Sequence, residues 1–230
     1  MSSCSHNISF QGVSQDNTRL IEHGNALLHW AVVFSGAKTK GRYSNPPPMK
    51  EGTSTVWDTI ATRRSVRIFS DDPVDDSVLK KCLEAARLAP SWANKQCWHF
   101  MVVNDKQAVD DLGIVPAHIK NTPAVVVACG DPDKSGKWEG KDYYLVDVAI
   151  ATEHLILQAW EEGLGTCWVG ALKEDRIRKA FGIPENIKVV ALIPLGYPAD
   201  KQTVRTTIAR KFMKSDSRKP LEDIVHYNKW

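Results

Sequence analysis

Residues 62–69 read TRRSVRIF and put Arg63, Arg64 and Arg67 within five positions, with Ser65 among them and apolar Ile68 and Phe69 directly after. Like charges this close repel, so something must offset them, and an anion would do so. The guanidinium group presents a planar fork of donors that matches phosphate oxygens, and each charge-assisted hydrogen bond contributes about 1.5–3 kcal/mol net. Two or three such bonds anchor a phosphorylated cofactor. The same residues also read as a solvated helix end, where the macrodipole favours cations.

Two further stretches carry groups suited to a ligand. LAPSWANKQCWHF (88–100) follows a helix that stops at Pro90, and it places Ser91, Asn94 and Gln96 on a turn next to an apolar run. Short amides there can read the edge of an imide, or satisfy the turn's own backbone. GLGTCWVGA (163–171) has three glycines, which allow the backbone to approach a flat ligand and offer its N–H groups as donors. It is neither GxGxxG after a strand nor GxxxxGK, so neither a dinucleotide fold nor a nucleotide hydrolase is indicated. Cys167 reads as a small buried thiol, because no neighbouring His or Lys argues for a thiolate. Trp92 and Trp98 read as core or interface residues.

Composition narrows the function class. A net charge of +3 from 30 basic and 27 acidic side chains is too small to imply a nucleic-acid partner, so any bound anion is held locally. The five cysteines are odd in number and widely spaced, with no CxxC and no Cys/His metal spacing. Reduced thiols in the cytoplasm fit best, and no metal site is expected. His99, His118 and His154 also lack metal spacing; His154, on an apolar helix, reads as a hydrogen-bonded core histidine. The apolar run ALLHWAVVF (26–34) is short, contains His29 and starts too deep for an export signal, so it reads as a docking or core segment and no membrane is implied.

The elements that must position these residues follow from punctuation and periodicity. Pro46, Pro47 and Pro48 cannot sit inside a helix or central strand, so residues 1–53 read as an N-terminal extension and 54–230 as the functional domain. Thr55 and Asp58 form a capping box that opens a short helix through Val56, Trp57, Ile60 and Ala61, and its end carries the arginines. Asp75 to Ser77 cap a second helix that places Val78, Leu79, Cys82, Leu83 and Ala86 on one face. HFMVVN (99–104), AVVVACG (124–130) and KVVALIPLG (188–196) are Val-rich buried strands. YYLVDVAIATEHLILQAWEEG (143–163) reads as a long apolar helix closed by Gly163, and KEDRIRKAFG (173–182) as a shorter amphipathic one closed by Gly182. PLEDIVHYNKW (220–230) is helical-looking. This order fits a parallel α/β sheet and a layered α+β domain equally well.

Taken in order, RRSVRIF, APSWANKQCWHF, GLGTCWVGALKED, FGIPENIKVVALIPLGYP and SRKPLEDIVHYNKW resemble the motifs of the nitroreductase family of FMN-dependent oxidoreductases, over residues 56–230. The resemblance implies an α+β sandwich with a mixed, mainly antiparallel sheet flanked by helices. It also implies an intertwined homodimer built on the long central helix, with the C-terminal segment crossing to the partner and FMN at the interface.

Carried over residue by residue, the resemblance assigns Arg63, Ser65 and Arg218 to the FMN phosphate and Arg64 to the phosphate or ribityl chain. Arg67 would lie near N1 and O2 of the ring. Pro90, Ser91 and Asn94 would come from the partner subunit, and Thr166, Cys167, Trp168 and Gly170 would line the other side of the ring, backbone N–H included. NADH or NADPH would deliver hydride to N5, and a small-molecule acceptor such as a nitroaromatic or quinone would take the electrons, with no catalytic side chain required. The segment 104–143 is short beside longer members, with Trp138, Lys141 and Tyr143 as candidate lid residues. Few lid residues favour a broad-acceptor reductase over a specialised dehalogenase. A flavin storage or sensor protein is the other reading.

Overall fold

The computed structural model describes residues 55–117, 119, 121–199 and 217–230. The extension at 1–53, with ALLHWAVVF, lies outside the described residues. The three Val-rich runs are strands: β1 (Trp98–Val103), β2 (Ala124–Gly130) and β6 (Lys188–Gly196). With the short β5 (Gly165–Thr166) they form a four-stranded sheet in the order β1-β2-β6-β5, every pair antiparallel. The choice that periodicity left open thus resolves to α+β.

β2 is buried at all seven positions because the sheet is covered on both faces. Its alternation divides the core in two. Ala124, Val126 and Ala128 pack with one apolar layer, and Val125, Val127 and Cys129 with the other. The first layer comes from α2 (Asp76–Arg87), through Leu79, Cys82 and Ala86, and from α4 (Tyr143–Glu161), through Val148, Ala151, Leu155 and Ala159. The second holds Phe69, Val109 of α3 (Lys106–Leu112) and Ile177 of α5 (Glu174–Phe181). A register shift between Ala128 and Cys129 moves Val189 to the same layer as Leu192.

Helix ends form where the side-chain chemistry places them. In the capping box of α1 (Val56–Thr62), the Asp58 N–H donates to Thr55 Oγ1 at 3.2 Å, while the Thr55 N–H donates to Asp58 Oδ2 at 3.1 Å. The Ser77 N–H donates to Asp75 Oδ1 at 2.7 Å at the start of α2. After α4 the chain turns through Gly163 at φ +81°, a left-handed conformation that costs glycine nothing. His154 on α4 is half-buried rather than in the core.

The C-terminal segment differs from its helical reading. Only a 3₁₀ turn, Leu221–Asp223, forms, and Leu221, Ile224, Tyr227 and Trp230 are all exposed. An isolated helix shorter than about 12–15 residues is marginal in water, and these apolar side chains find no cover of their own. Val56, Trp57 and Ile60 of α1 and Leu145 and Val146 of α4 are also exposed.

Close backbone approach is decisive at Gly165. A Cβ there would meet Val66 Cγ2 at 2.5 Å, inside contact distance, and Val66 is held by its own backbone bond. Gly165→Ala should therefore destabilise the chain by about 1–3 kcal/mol through overpacking, read as a lower urea midpoint at unchanged slope. An unchanged midpoint would contradict this packing.

Candidate functional site

The arginine stretch is fastened to the glycine-rich stretch. Ser65 bridges Thr166 in parallel, and the Val66 N–H donates to the Thr166 carbonyl at 2.8 Å. Further along, the Ala199 N–H donates to the Ile68 carbonyl at 3.1 Å and the Ser70 N–H to the Tyr197 carbonyl at 2.8 Å. Phe69, fully buried between these bonds, is the apolar anchor. The cations therefore sit on a rigid edge beside β5 and the end of β6.

Within this edge each side chain has a distinct setting. Arg63, the C-cap of α1, lies 3.7 Å from Glu153 of α4. Arg64 Nη1 donates to the carbonyls of Ala61 at 2.8 Å and Arg63 at 2.7 Å. Ser65 is exposed, Thr166 and Cys167 are buried, and Trp168 and Gly170 are exposed. The Cys167 N–H donates to Pro194 at 3.1 Å and the Val169 N–H to Leu192 at 2.9 Å. These amides belong to the sheet, which corrects the expectation that the Cys167 N–H is available to a ligand. By strand alternation the N–H groups of Trp168 and Gly170 point away from β6.

Burial pushes the Cys167 thiol up, and nearby Arg67 and Arg63 pull it partly back. Arg67 and Arg63 thus act on the same point, the start of the TCWVG run, where their charge favours an anion, although burial outweighs it for the thiol itself. Among the described residues no cluster of His, Cys, Asp or Glu could hold a metal.

The turn carrying Pro90, Ser91 and Asn94 lies elsewhere. It leads into Trp98, which pairs with Gly130 at one end of β2, whereas Thr166 pairs with Leu195, and Leu195 with Ala124, at the other end. With about 3.3 Å per strand residue, the two stretches stand roughly 20 Å apart along the sheet. The helix agrees: the Trp92 N–H donates to Asp147 Oδ1 at 2.8 Å, while Trp160 Nε1 donates to Thr62 Oγ1 at 2.9 Å, thirteen residues or about 20 Å along α4.

This turn is strained. Ala93, Asn94 and Gln96 have φ of +44°, +56° and +50°, in a region that costs a residue with a Cβ about 1–2 kcal/mol, less for asparagine. The Gln96 N–H donates to Ser91 Oγ at 2.9 Å, and Gln96 Nε2 donates to Asn94 Oδ1 at 3.0 Å, so these polar groups do satisfy the turn itself. Trp92 packs against Tyr143 in a tilted arrangement, with centroids 4.0 Å apart. The nearby hairpin, β3 (Lys137–Trp138) and β4 (Lys141–Asp142), exposes Trp138 and Lys141. Pro90 is exposed, as is Arg218, whose Nη1 donates to the Ser217 carbonyl at 2.8 Å.

Sequence reasoning missed two carboxyls, Glu153 beside Arg63 and Asp147 beneath the turn. The signal for Asp147 was a lone acid in the otherwise apolar run YYLVDVAIA.

The Nitroreductase family profile matches residues 60–121 and 116–197, and the chain belongs to this family. A protein of Archaeoglobus fulgidus, provisionally named NADH dehydrogenase/NAD(P)H nitroreductase, is 37% identical over 179 residues, 74% of this chain and 96% of the relative. A solved nitroreductase family protein from Clostridium novyi NT superposes with TM-score 0.60 at 38% identity, covering 64% of this chain and 87% of that one. A solved FMN-dependent nitroreductase from Clostridium difficile R20291 superposes at TM-score 0.58 and 28% identity, covering 75% and 98%.

Burial raises the thiols of Cys82 to about 12 and of Cys97 and Cys129 to about 11, from an ordinary 9.0. They are protonated at pH 8, so native protein should leave these three unlabelled by a disulfide reagent while urea-unfolded protein labels all five cysteines. Raised folded values also mean that the unfolded chain releases these protons first, so stability should fall as pH rises from about 9 through 11–12. Rapid native labelling of Cys97, mapped by mass, would contradict this burial.

Proposed function

We propose that the chain is an FMN-dependent oxidoreductase that takes hydride from NADH or NADPH and reduces a small nitroaromatic, quinone or related acceptor. The carrying observation is the bond from Val66 to Thr166, which joins the arginine stretch to the TCWVG run. The donor set suits FMN. Arg63, Arg64 and exposed Ser65 match a phosphomonoester and its chain, and Arg67 lies toward Cys167, where a flat ring would meet Trp168 and Gly170. When bound, FMN supplies hydride acceptance at N5 and onward transfer of electrons.

In this reading the residues bind and polarise, and none acts as a catalytic acid or base. Arg63, Ser65 and Arg218 hold the phosphate, with Arg64 beside it. Arg67 places positive charge at the N1/O2 edge of the ring, where reduction adds negative charge, and so raises the reduction potential. Thr166, Cys167, Trp168 and Gly170 line the ring.

The roughly 20 Å between the arginines and the turn with Pro90, Ser91 and Asn94 supports a homodimer, in which a second copy brings its turn to this chain's arginines. The exposed apolar residues of α1, the start of α4 and the C-terminal segment supply a surface for that contact. The family match beginning at residue 60 supports residues 1–53 as an appendage to a domain at 54–230. Cytoplasmic residence rests on the four described cysteines, all free thiols. Among the described residues no helix is long and apolar enough to cross a membrane.

Purified protein should be yellow, bleach under anaerobic NADH or NADPH and regain colour with an added quinone or nitroaromatic. Failure to bleach with either nicotinamide would favour a flavin-storing or sensing protein. Arg67→Ala should retain some FMN yet lower its midpoint potential in a spectroelectrochemical titration, and an unchanged midpoint would contradict the role given to Arg67.

A further inference from the structure

Asp147 is 2% exposed, and it gathers three donors from two separate segments, the 92–97 turn and Ser135. The Trp92 N–H reaches its Oδ1 at 2.8 Å, and Ser135 Oγ and Cys97 Sγ reach its Oδ2 at 3.0 and 3.5 Å. No Lys, Arg or His lies among these donors, so among the described residues no ion pair holds the carboxyl. All three bonds converge around the turn where Ala93, Asn94 and Gln96 take positive φ.

Strain of this kind persists only when surrounding contacts over-determine it. Trp92, at the start of the turn, is fixed three ways: its N–H on Asp147, its ring on Tyr143, and its indole over Gly136, where an added Cβ would collide with Nε1. Ser135 and Gly136 are neighbours, so the bond from Ser135 to Asp147 also sets the floor beneath the indole. Without Asp147 the Trp92 N–H loses its partner, and the three left-handed residues are free to relax.

We propose that Asp147 is a positioning residue for the flavin site. It locks the 91–96 turn in the left-handed form that presents Ser91 and Asn94 to the cofactor of a second copy. The proposal rests on the flavin reading above. A binding-competent turn that is populated only in part weakens apparent affinity by that fraction.

The test uses the full 230-residue chain, measuring FMN dissociation constants by fluorescence and amide hydrogen exchange of residues 92–97 without added FMN. Asp147→Ala should weaken FMN about tenfold and speed exchange across the turn, because a relaxed turn is competent only about a tenth of the time. Asp147→Asn, which keeps an acceptor for the Trp92 N–H, should stay within about threefold of the native value. Val109→Ala, in the opposite core layer, should lower Tm without changing either readout. If Asp147→Ala does not fold, Ser135→Ala takes its place with smaller shifts in the same directions.

Native FMN affinity and native exchange in Asp147→Ala would overturn the proposal, as would equal effects in Val109→Ala. Native protein that binds no FMN while exchange at 92–97 still responds to Asp147 would instead overturn the flavin reading and leave the turn lock standing.

Discussion

The strand-like contact between residues 65–66 and Thr166 is the constraint on which the rest depends. It lets a chain of like charges follow a helix and stay in one place, because the backbone bond from Val66 and the buried ring of Phe69 hold the segment whatever the arginines do. Gly165 is the condition for that approach, since any side chain there would collide with Val66. Glu153 offsets part of the charge near Arg63 across a partly exposed 3.7 Å gap, a distance at which the pair contributes little. In the proposed site these cations would serve a ligand more than one another.

In the proposed flavin site, the sheet is the reason that a second chain would be required. Antiparallel strands place the two polar stretches at opposite ends of β2, and the same α4 that covers the sheet carries the anchor for each, Asp147 toward its start and Trp160 near its end. In the proposed dimer a second copy in the opposite sense would close that distance. Exposed Trp57 and Leu145 then have a physical reason for lying outside the core.

Much of this was legible in the residues alone. Val-rich runs bounded by Gly and Pro marked the three long strands, and Thr55 with Asp58, Asp75 and Gly163 marked helix ends, because these signals act within a few residues. Strand direction was not legible, since alternating strands and helices are compatible with either sheet type until long-range pairing is known. The C-terminal segment misled for a related reason: Leu221, Ile224 and Tyr227 have helical spacing, but spacing folds a short segment only when another surface covers it. The committed use of the Cys167 N–H and the role of Asp147 were hidden because both depend on partners far away in sequence.

The central claim is that this arginine edge recognises a phosphomonoester on a flavin, and comparison of FMN with riboflavin on the apoprotein tests it most directly. Two charge-assisted bonds of about 1.5–3 kcal/mol each predict that FMN binds at least about 100-fold tighter, with the advantage shrinking as salt rises. Equal affinities for the two flavins, or a preference indifferent to salt, would contradict the account.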